Sequence, residues 1–235
     1  MAREPIATNG RKFIAPRRFD TARVAVAAFA ALLMAIVARD VLTRGPLSEL
    51  DAPALAWLSS ARNVFLDHLL AWVSLSGGPS ATSAYAAILI VAYLVRRLVR
   101  SALAIAAVVY GAVLLNVVLK DLWQRPRPPV KDEITTLPTF SFPSGHAVAS
   151  TVFAGLVCLL VLRSGISRGR AAIAVGLAIS WVALVCASRA YLGLHYPTDI
   201  VAGVCEGVCW LTLATVALDS LGIDMRWPRR AVGAP

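Results

Sequence analysis

Polar and apolar residues fall in blocks along this chain rather than alternating. Six stretches, 22–42, 80–95, 102–119, 144–162, 171–188 and 198–218, are apolar on every side of a helical wheel and carry few charges. A helix rises ~1.5 Å per residue, so blocks of this length reach across a hydrocarbon core of ~30 Å. Backbone groups in lipid must satisfy one another, which makes each block a helix. The stretch 47–75 has a different pattern. Leu50, Leu55 and Leu58, then Phe65, Leu66, Leu69 and Leu70, recur at helical spacing with polar residues between them. That predicts an amphipathic helix on the outer membrane surface, with Trp57 and Trp72 at headgroup depth. Such a segment serves equally as a lip that guides a lipid headgroup sideways or as packing that caps the bundle. The expected fold is all-α: a polytopic membrane bundle of six transmembrane helices with an amphipathic outer-surface segment. Short loops join the last four blocks, and no repeat or linker interrupts them. This predicts a single domain over 1–235, with a tail at 1–21 and its core at 80–218.

Composition supports the membrane reading. The chain is 58% hydrophobic and 15% charged, with a mean hydropathy of +0.72, against about a quarter charged for soluble domains. A water-soluble single domain is excluded. The apolar run from Val24 to Val37 follows a basic segment, as a signal peptide would. However, Arg39-Asp40 offers no small-residue cleavage site, so a retained span is expected. The net charge of +10 fits either nucleic acid or an anionic membrane surface. No basic run is interleaved with aromatics, and the basic residues sit between the apolar blocks, so no nucleic-acid partner is expected. With the N-terminus cytoplasmic, the cytoplasmic segments hold fifteen of the 23 Lys and Arg. The positive-inside bias therefore predicts a cell (plasma) membrane protein with both termini cytoplasmic. Cys158, Cys186, Cys205 and Cys209 all lie in apolar stretches without zinc-type spacing and read as packing residues.

Candidate chemistry sits in the loops on the other side. Four basic residues cluster in Lys120-Asp-Leu-Trp-Gln-Arg125-Pro-Arg127-Pro-Pro-Val-Lys131. A cationic cluster just outside a span opposes the orientation rule, although a charge run taken alone is as readily a solvated loop. Next comes Phe142-Pro143-Ser144-Gly145-His146, which opens the fourth block. Pro143 suits a first helical turn, and Ser144 and Gly145 then offer free backbone N–H groups where the helix dipole favours an anion. Gly145 leaves room for close approach, and His146 lies beside the hole. The third piece is Ser188-Arg189, five residues, His195, Tyr196, Pro197, Thr198 and Asp199. One turn beyond His195, Asp199 can reach back to one ring nitrogen and leave the other free to act. The alternation of spans brings all three pieces to one face, with two of the three histidines in the chain among them.

These three motifs together resemble the type-2 phosphatidic acid phosphatase superfamily, which includes bacterial undecaprenyl-diphosphate phosphatases and vanadium haloperoxidases. Lys120 followed by Arg127-Pro128 looks like its first motif, Pro143 to His146 its second, and Ser188-Arg189 through His195 to Asp199 its third. The resemblance covers roughly residues 80–218. It implies that His195 attacks phosphorus and forms a phosphohistidine, that Asp199 orients His195, and that His146 protonates the leaving oxygen and then activates water. It assigns the phosphate's oxygens to Lys120, Arg127, Ser144, the Gly145 N–H and Arg189, with no metal and no cofactor. The expected substrate is a lipid phosphate or diphosphate in the membrane, reached from the outer face. Polyprenyl diphosphate, phosphatidic acid and phosphatidylglycerol phosphate are the candidate classes, with a lean by analogy towards undecaprenyl diphosphate. Phosphotransfer to a lipid or sugar hydroxyl is the alternative with the same site, and a non-enzymatic lipid transporter is the alternative without one. Arg125 is expected beside the first motif, in a supporting or headgroup contact. Glu206, an acid inside the last span, is expected in a structural hydrogen bond, Asn116 as a polar partner near Lys120, and His68 at the interface without a catalytic role.

Overall fold

The computed structural model describes residues 18–129 and 139–225, with side chains from residue 21. The described residues form nine helices and no strand. They are α1 (Arg18–Thr43), α2 (Pro46–Glu49), α3 (Asp51–Ser60), α4 (Val64–Gly77), α5 (Pro79–Val95), α6 (Val99–Trp123), α7 (Gly145–Arg163), α8 (Arg168–Tyr191) and α9 (Pro197–Ser220). Lys131 and most of the expected tail 1–21 lie outside the described residues. α1, α6, α7, α8 and α9 are each long and apolar enough to cross a membrane. The block expected at 80–95 differs: α5 meets that measure only together with α4, as a pair bent by 45°.

The bend follows from the chain between them. Pro79 has no N–H to donate back into α4 and disfavours a helical conformation at Gly78, which is extended (φ −71°, ψ 162°). The stretch 47–75 is accordingly divided into α2, α3 and α4 rather than formed as one amphipathic helix. Asn63 starts the last of these, its side chain accepting from Leu66 N at 2.9 Å. α4 then packs against α7 and α8, so it belongs to the bundle. Trp57 and Trp72, expected at headgroup depth, are each 73% exposed.

α7 sits at the centre, in contact with α4, α5, α6, α8 and α9, while α1 packs along α9. The apolar core lies among α5, α6 and α7, around Ala86, Ile105, Leu156, Val108, Val148 and Val152. Helices in lipid gain little from hiding apolar surface from water, so close contact between small residues has to hold them together. α9 supplies this through Gly203 and Gly207, spaced four apart on the face towards α7. A Cβ at Gly203 would come within 2.6 Å of Ser144 O, and one at Gly207 within 2.9 Å of Thr151 Cβ. The two helix starts are then close enough for Ser144 N to donate to Asp199 O at 3.0 Å. At the opposite end, Arg23 and Arg163 both donate to Asp219, each at 2.7 Å. Tyr93 Oη also donates there to Met225 O at 2.7 Å.

Gly203→Ala should therefore push α9 off the start of α7 and destabilise the fold by roughly 1–3 kcal/mol. The melting temperature in detergent should fall, whereas Gly176→Ala, where an added Cβ meets nothing within 4 Å, should leave it unchanged.

Candidate active site

All three motifs meet at one end of the bundle, and local chain geometry explains how. α8 ends with Gly193 in the left-handed region (φ +70°). Its N–H donates to Ala190 O, and Leu194 N donates back to Arg189 O at 3.0 Å. This glycine-terminated turn closes α8 and folds the chain so that His195 returns beside Arg189, which accounts for the five-residue spacing between them. Pro197 then starts α9. From its first turn Asp199 reaches back, accepting from Tyr196 N at 3.0 Å.

His195 is almost fully buried, at 1% exposed. Its Nε2 lies 3.1 Å from Arg127 Nη1 and its Nδ1 lies 3.4 Å from Asp199 Oδ2. A guanidinium can only donate, so Nε2 accepts, and the proton resides on Nδ1 facing the carboxylate. That tautomer leaves the Nε2 lone pair aimed at the cation cluster. The 3.4 Å contact is long for a hydrogen bond and would shorten as the ring became cationic. Burial dominates the ring's titration and pushes its pKa down from 6.5 to about 3; the Asp199 hydrogen bond opposes this, and Arg189 and Arg127 reinforce it. Burial likewise draws the Arg127 guanidinium below its ordinary pKa.

Lys120, Arg127, Gly145, His146, Arg189 and His195 line a cavity of about 220 Å³. Lys120 Nζ donates to Phe140 O at 2.6 Å, and Arg127 donates through Nε and Nη2 to Thr139, both at 2.8 Å. Arg189 is 4% exposed and donates through Nη1 to Ser74 Oγ at 2.7 Å. Its Nε and Nη2 are buried with no partner among the described residues, and so is Ser144 Oγ. Ser144 is the residue preceding α7 but makes no side-chain cap, so its hydroxyl remains available. Pro143 lies one residue further out rather than in the first turn, because the helix begins at Gly145. A Cβ at Gly145 would stand 3.0 Å from Asn116 Oδ1 and 3.8 Å from Lys120 Cε, so its absence keeps the cavity floor open.

None of Lys120, Arg127 and Arg189 has a carboxylate within salt-bridge distance among the described residues. Buried charges left uncompensated cost several kcal/mol each, and an anion in the cavity would remove that cost. A larger hollow of about 430 Å³ lies across α6, between α1, α6 and α9. It holds none of the motif residues, and charge rather than size selects the smaller cavity as the chemical site.

Four further residues complete the arrangement. Arg125 donates to Asp199 Oδ1 and, through Nη2 at 2.8 Å, to Asp51 Oδ2. Ser141 Oγ donates to Asp199 Oδ2, and Thr198 N donates to Asp51 Oδ1 at 3.0 Å. Ser141 and Thr198 carried no sequence signal beyond being polar near the motifs, and Asp51, far from them in the chain, carried none. Glu206 makes the hydrogen bond expected of it, accepting from Asn116 Nδ2 at 2.9 Å. Asn116, near Lys120 on α6, is thus the polar partner expected there. His68 is exposed on α4, away from the cavity.

The family model for the PAP2 superfamily matches residues 101–221, about half of the chain. The chain belongs to the PAP2 superfamily. The matched residues run from α6 to the end of α9 and contain all three motifs. With five helices long and apolar enough to cross a membrane and a sixth such unit in the bent pair, this PAP2 protein is a multi-pass membrane protein. It is 37% identical over 107 residues to decaprenylphosphoryl-5-phosphoribose phosphatase of Mycolicibacterium smegmatis, covering 44% of this chain and 53% of that one. It is 36% identical over 90 residues to sphingosine-1-phosphate phosphatase 1 of Rattus norvegicus, covering 36% of this chain and 20% of that one. The chain thus spans between a fifth and about half the length of the curated relatives it matches. The fold resembles the PAP2-type phosphatidylglycerolphosphate phosphatase of Bacillus subtilis, with a TM-score of 0.67 at 23% identity, over 85% of this chain and 96% of that one. It also resembles Aquifex aeolicus LpxE, with a TM-score of 0.53 at 20% identity, over 71% and 94% of the two chains.

The depressed His195 pKa makes the fold of this PAP2 chain sensitive to acid. Below pH 6.5 the unfolded chain takes up a proton at this ring, and the folded chain does so only near pH 3. The contribution to stability is therefore complete above 6.5 and is lost as pH falls towards 3. Melting curves between pH 7.5 and 5 should show a steeper loss for the unmodified protein than for His195→Gln. Parallel curves would contradict the burial of a neutral ring.

Proposed function

We propose that this protein is an integral membrane lipid phosphatase that releases inorganic phosphate from a lipid-linked phosphate through a phosphohistidine on His195. The observation that carries the reading is the set of buried donors without a partner among the described residues, Arg189 Nε, Arg189 Nη2 and Ser144 Oγ. Arg189 lines the same cavity as Lys120, Arg127 and His195, whose Nε2 carries the lone pair, and Ser144 adjoins Gly145 in that lining. Such an array matches the oxygens of a tetrahedral phosphoryl group, and phosphoryl transfer is catalysed mainly by positioning and by stabilising charge on those oxygens.

In the first step His195 Nε2 attacks phosphorus, a P–N bond forms, and the bond from phosphorus to the lipid oxygen breaks. Arg127 Nη1 gives up its contact with Nε2 for a phosphate oxygen. Asp199 stabilises the positive charge that develops on the ring, and protonated His146 donates its proton to the departing oxygen. In the second step His146 takes a proton from water, the water oxygen attacks phosphorus, and the P–N bond breaks. Inorganic phosphate leaves and His195 returns to its neutral form. Lys120, Arg127, Arg189, the Ser144 hydroxyl and the Gly145 N–H at the start of α7 hold the non-bridging oxygens. Three cations and a helix N-terminus supply the positive field that a divalent ion supplies elsewhere, so we assign no metal to the reaction.

The cavity is also lined by Pro79, Val113 and Val117, and Val117 is 49% exposed, which suits a tail leaving sideways into lipid. The named relatives act on sphingosine-1-phosphate and decaprenylphosphoryl-5-phosphoribose. That favours a lipid phosphomonoester over the undecaprenyl diphosphate suggested by analogy. The positive-inside bias supports a plasma-membrane protein with both termini cytoplasmic and the site at the outer face.

Two measurements test this. Purified protein should release phosphate from a lipid monophosphate panel, and His195→Ala should lose that release by ~10³-fold or more while remaining folded. Turnover retained in the variant would remove the nucleophile assignment. Activity should also persist in EDTA; loss in chelator with recovery on added magnesium would refute the metal-free scheme.

A further inference from the structure

Arg125 does not line the phosphate cavity, yet it binds the residue behind the proposed nucleophile. Its Nη1 donates to Asp199 Oδ1 and, at 2.8 Å, to Thr198 Oγ1. Its Nη2 donates to Asp51 Oδ2 at 2.8 Å, and its Cζ stands 4.3 Å over the centre of the Tyr196 ring. Asp51, at the start of α3, is 2% exposed. It accepts from Thr198 N at 3.0 Å and from Thr198 Oγ1. Asp199 is fully buried. Two buried carboxylates thus share one guanidinium.

Capping alone does not explain this cluster. Thr198 N already satisfies the start of α9 through Asp51, and a cap needs no cation. What the cation adds is a fixed orientation for Asp199. With Oδ1 engaged by Arg125, Oδ2 is left to accept from Ser141, Tyr196 N and His195 Nδ1. Arg125 also sets a positive charge directly against that carboxylate. Burial works against the guanidinium's own charge, but Asp199 and Asp51 outweigh it and raise its pKa.

We propose that Arg125, held in place by Asp51, is a positioning residue for the phosphoryl transfer. It engages Asp199 so that the carboxylate stays charged and aimed at His195 Nδ1, and α3 supports the active site through Asp51. The proposal rests on the reading of His195 as nucleophile. His195 is faced by Arg127 from the loop after α6, His146 from α7, Arg189 from α8 and Asp199 from α9, with Lys120 on α6 lining the same cavity. Removing the Arg125 cation makes Asp199 a stronger base and favours the imidazolium of His195. The neutral, attacking form then survives only at higher pH.

The test uses the full chain in lipid nanodiscs with 15N-labelled histidine. There are only three histidines, so His68→Gln and His146→Gln assign the His195 ring signals. The unmodified protein, Arg125→Gln, Arg125→Lys and Asp51→Asn are compared for ring tautomer, ring titration and melting temperature. Phosphate release from phosphatidic acid and sphingosine-1-phosphate is followed against pH. In the unmodified protein, His195 should hold its proton on Nδ1 and stay neutral well below pH 6. Arg125→Gln should raise its titration, move the acid limb of kcat/KM upward with it, and lower kcat at least about tenfold with KM unchanged. Arg125→Lys should recover part of kcat, and Asp51→Asn should fall between Arg125→Gln and the unmodified protein. Folded Arg125→Gln and Asp51→Asn with an unaltered titration and acid limb would overturn the proposal. So would a rise in KM at constant kcat, which would make Arg125 a substrate contact. Failure to release phosphate from any lipid would count against the phosphatase reading, while the ring signals would still decide the positioning role.

Discussion

Two helix starts must lie within one backbone hydrogen bond of each other, and the geometry of this site depends on that constraint. α7 presents Ser144 and Gly145 at its N-terminus, and α9 presents Asp199 in its first turn. The hydrogen bond from Ser144 N to Asp199 O ties the two ends directly. It is possible only because Gly203 has no side chain to hold α9 away from the Ser144 backbone. In a lipid-embedded bundle such glycine contacts do the work that apolar burial does in water. The anion hole at one helix end and the His195–Asp199 pair at the other are thereby placed at fixed separation.

Charge balance is the second organising principle. The site contains cations of two kinds. Arg125 is fully matched, standing between Asp51 and Asp199. Lys120, Arg127 and Arg189 line the cavity without a carboxylate partner among the described residues, and there Arg189 keeps two buried donors unpartnered. The first kind builds the support behind His195. The second kind stores an unfavourable arrangement that an incoming anion would relieve, so under the proposed function binding a phosphate would also satisfy the fold. The neutral His195 ring, held low in pKa by burial, fits a nucleophile that must carry a lone pair at neutral pH.

Much of this was legible in the sequence because lipid simplifies the code. Apolar blocks of membrane length located the long helices, and polar motifs at their ends marked the helix termini and loops that hold Lys120, Arg127, His146, Arg189 and His195. The spacing from Arg189 to His195 could be seen, but its cause, a left-handed glycine turn at Gly193, emerges only in three dimensions. The bend between α4 and α5 was missed because 47–75 is too polar to read as a span and 80–95 reads as a complete block by itself. Gly78-Pro79, where the two join, was the available signal. Asp51 could not have been found from pattern at all. It is one acid among eight expected on that side of the membrane, and its importance comes from a partner 74 residues away. Arg125 stood beside the first motif, with a supporting or headgroup contact expected, but its direction towards Asp199 is a property of the fold.

The central claim is that phosphorus passes through His195. The most direct measurement is a rapid alkaline quench of purified protein mixed with a 32P-labelled lipid monophosphate, followed by mapping of the label. The account predicts a transient, alkali-stable and acid-labile label on the peptide containing His195, formed before inorganic phosphate appears and absent in His195→Ala. Phosphate release with no protein-bound label, or with label on another residue, would contradict it.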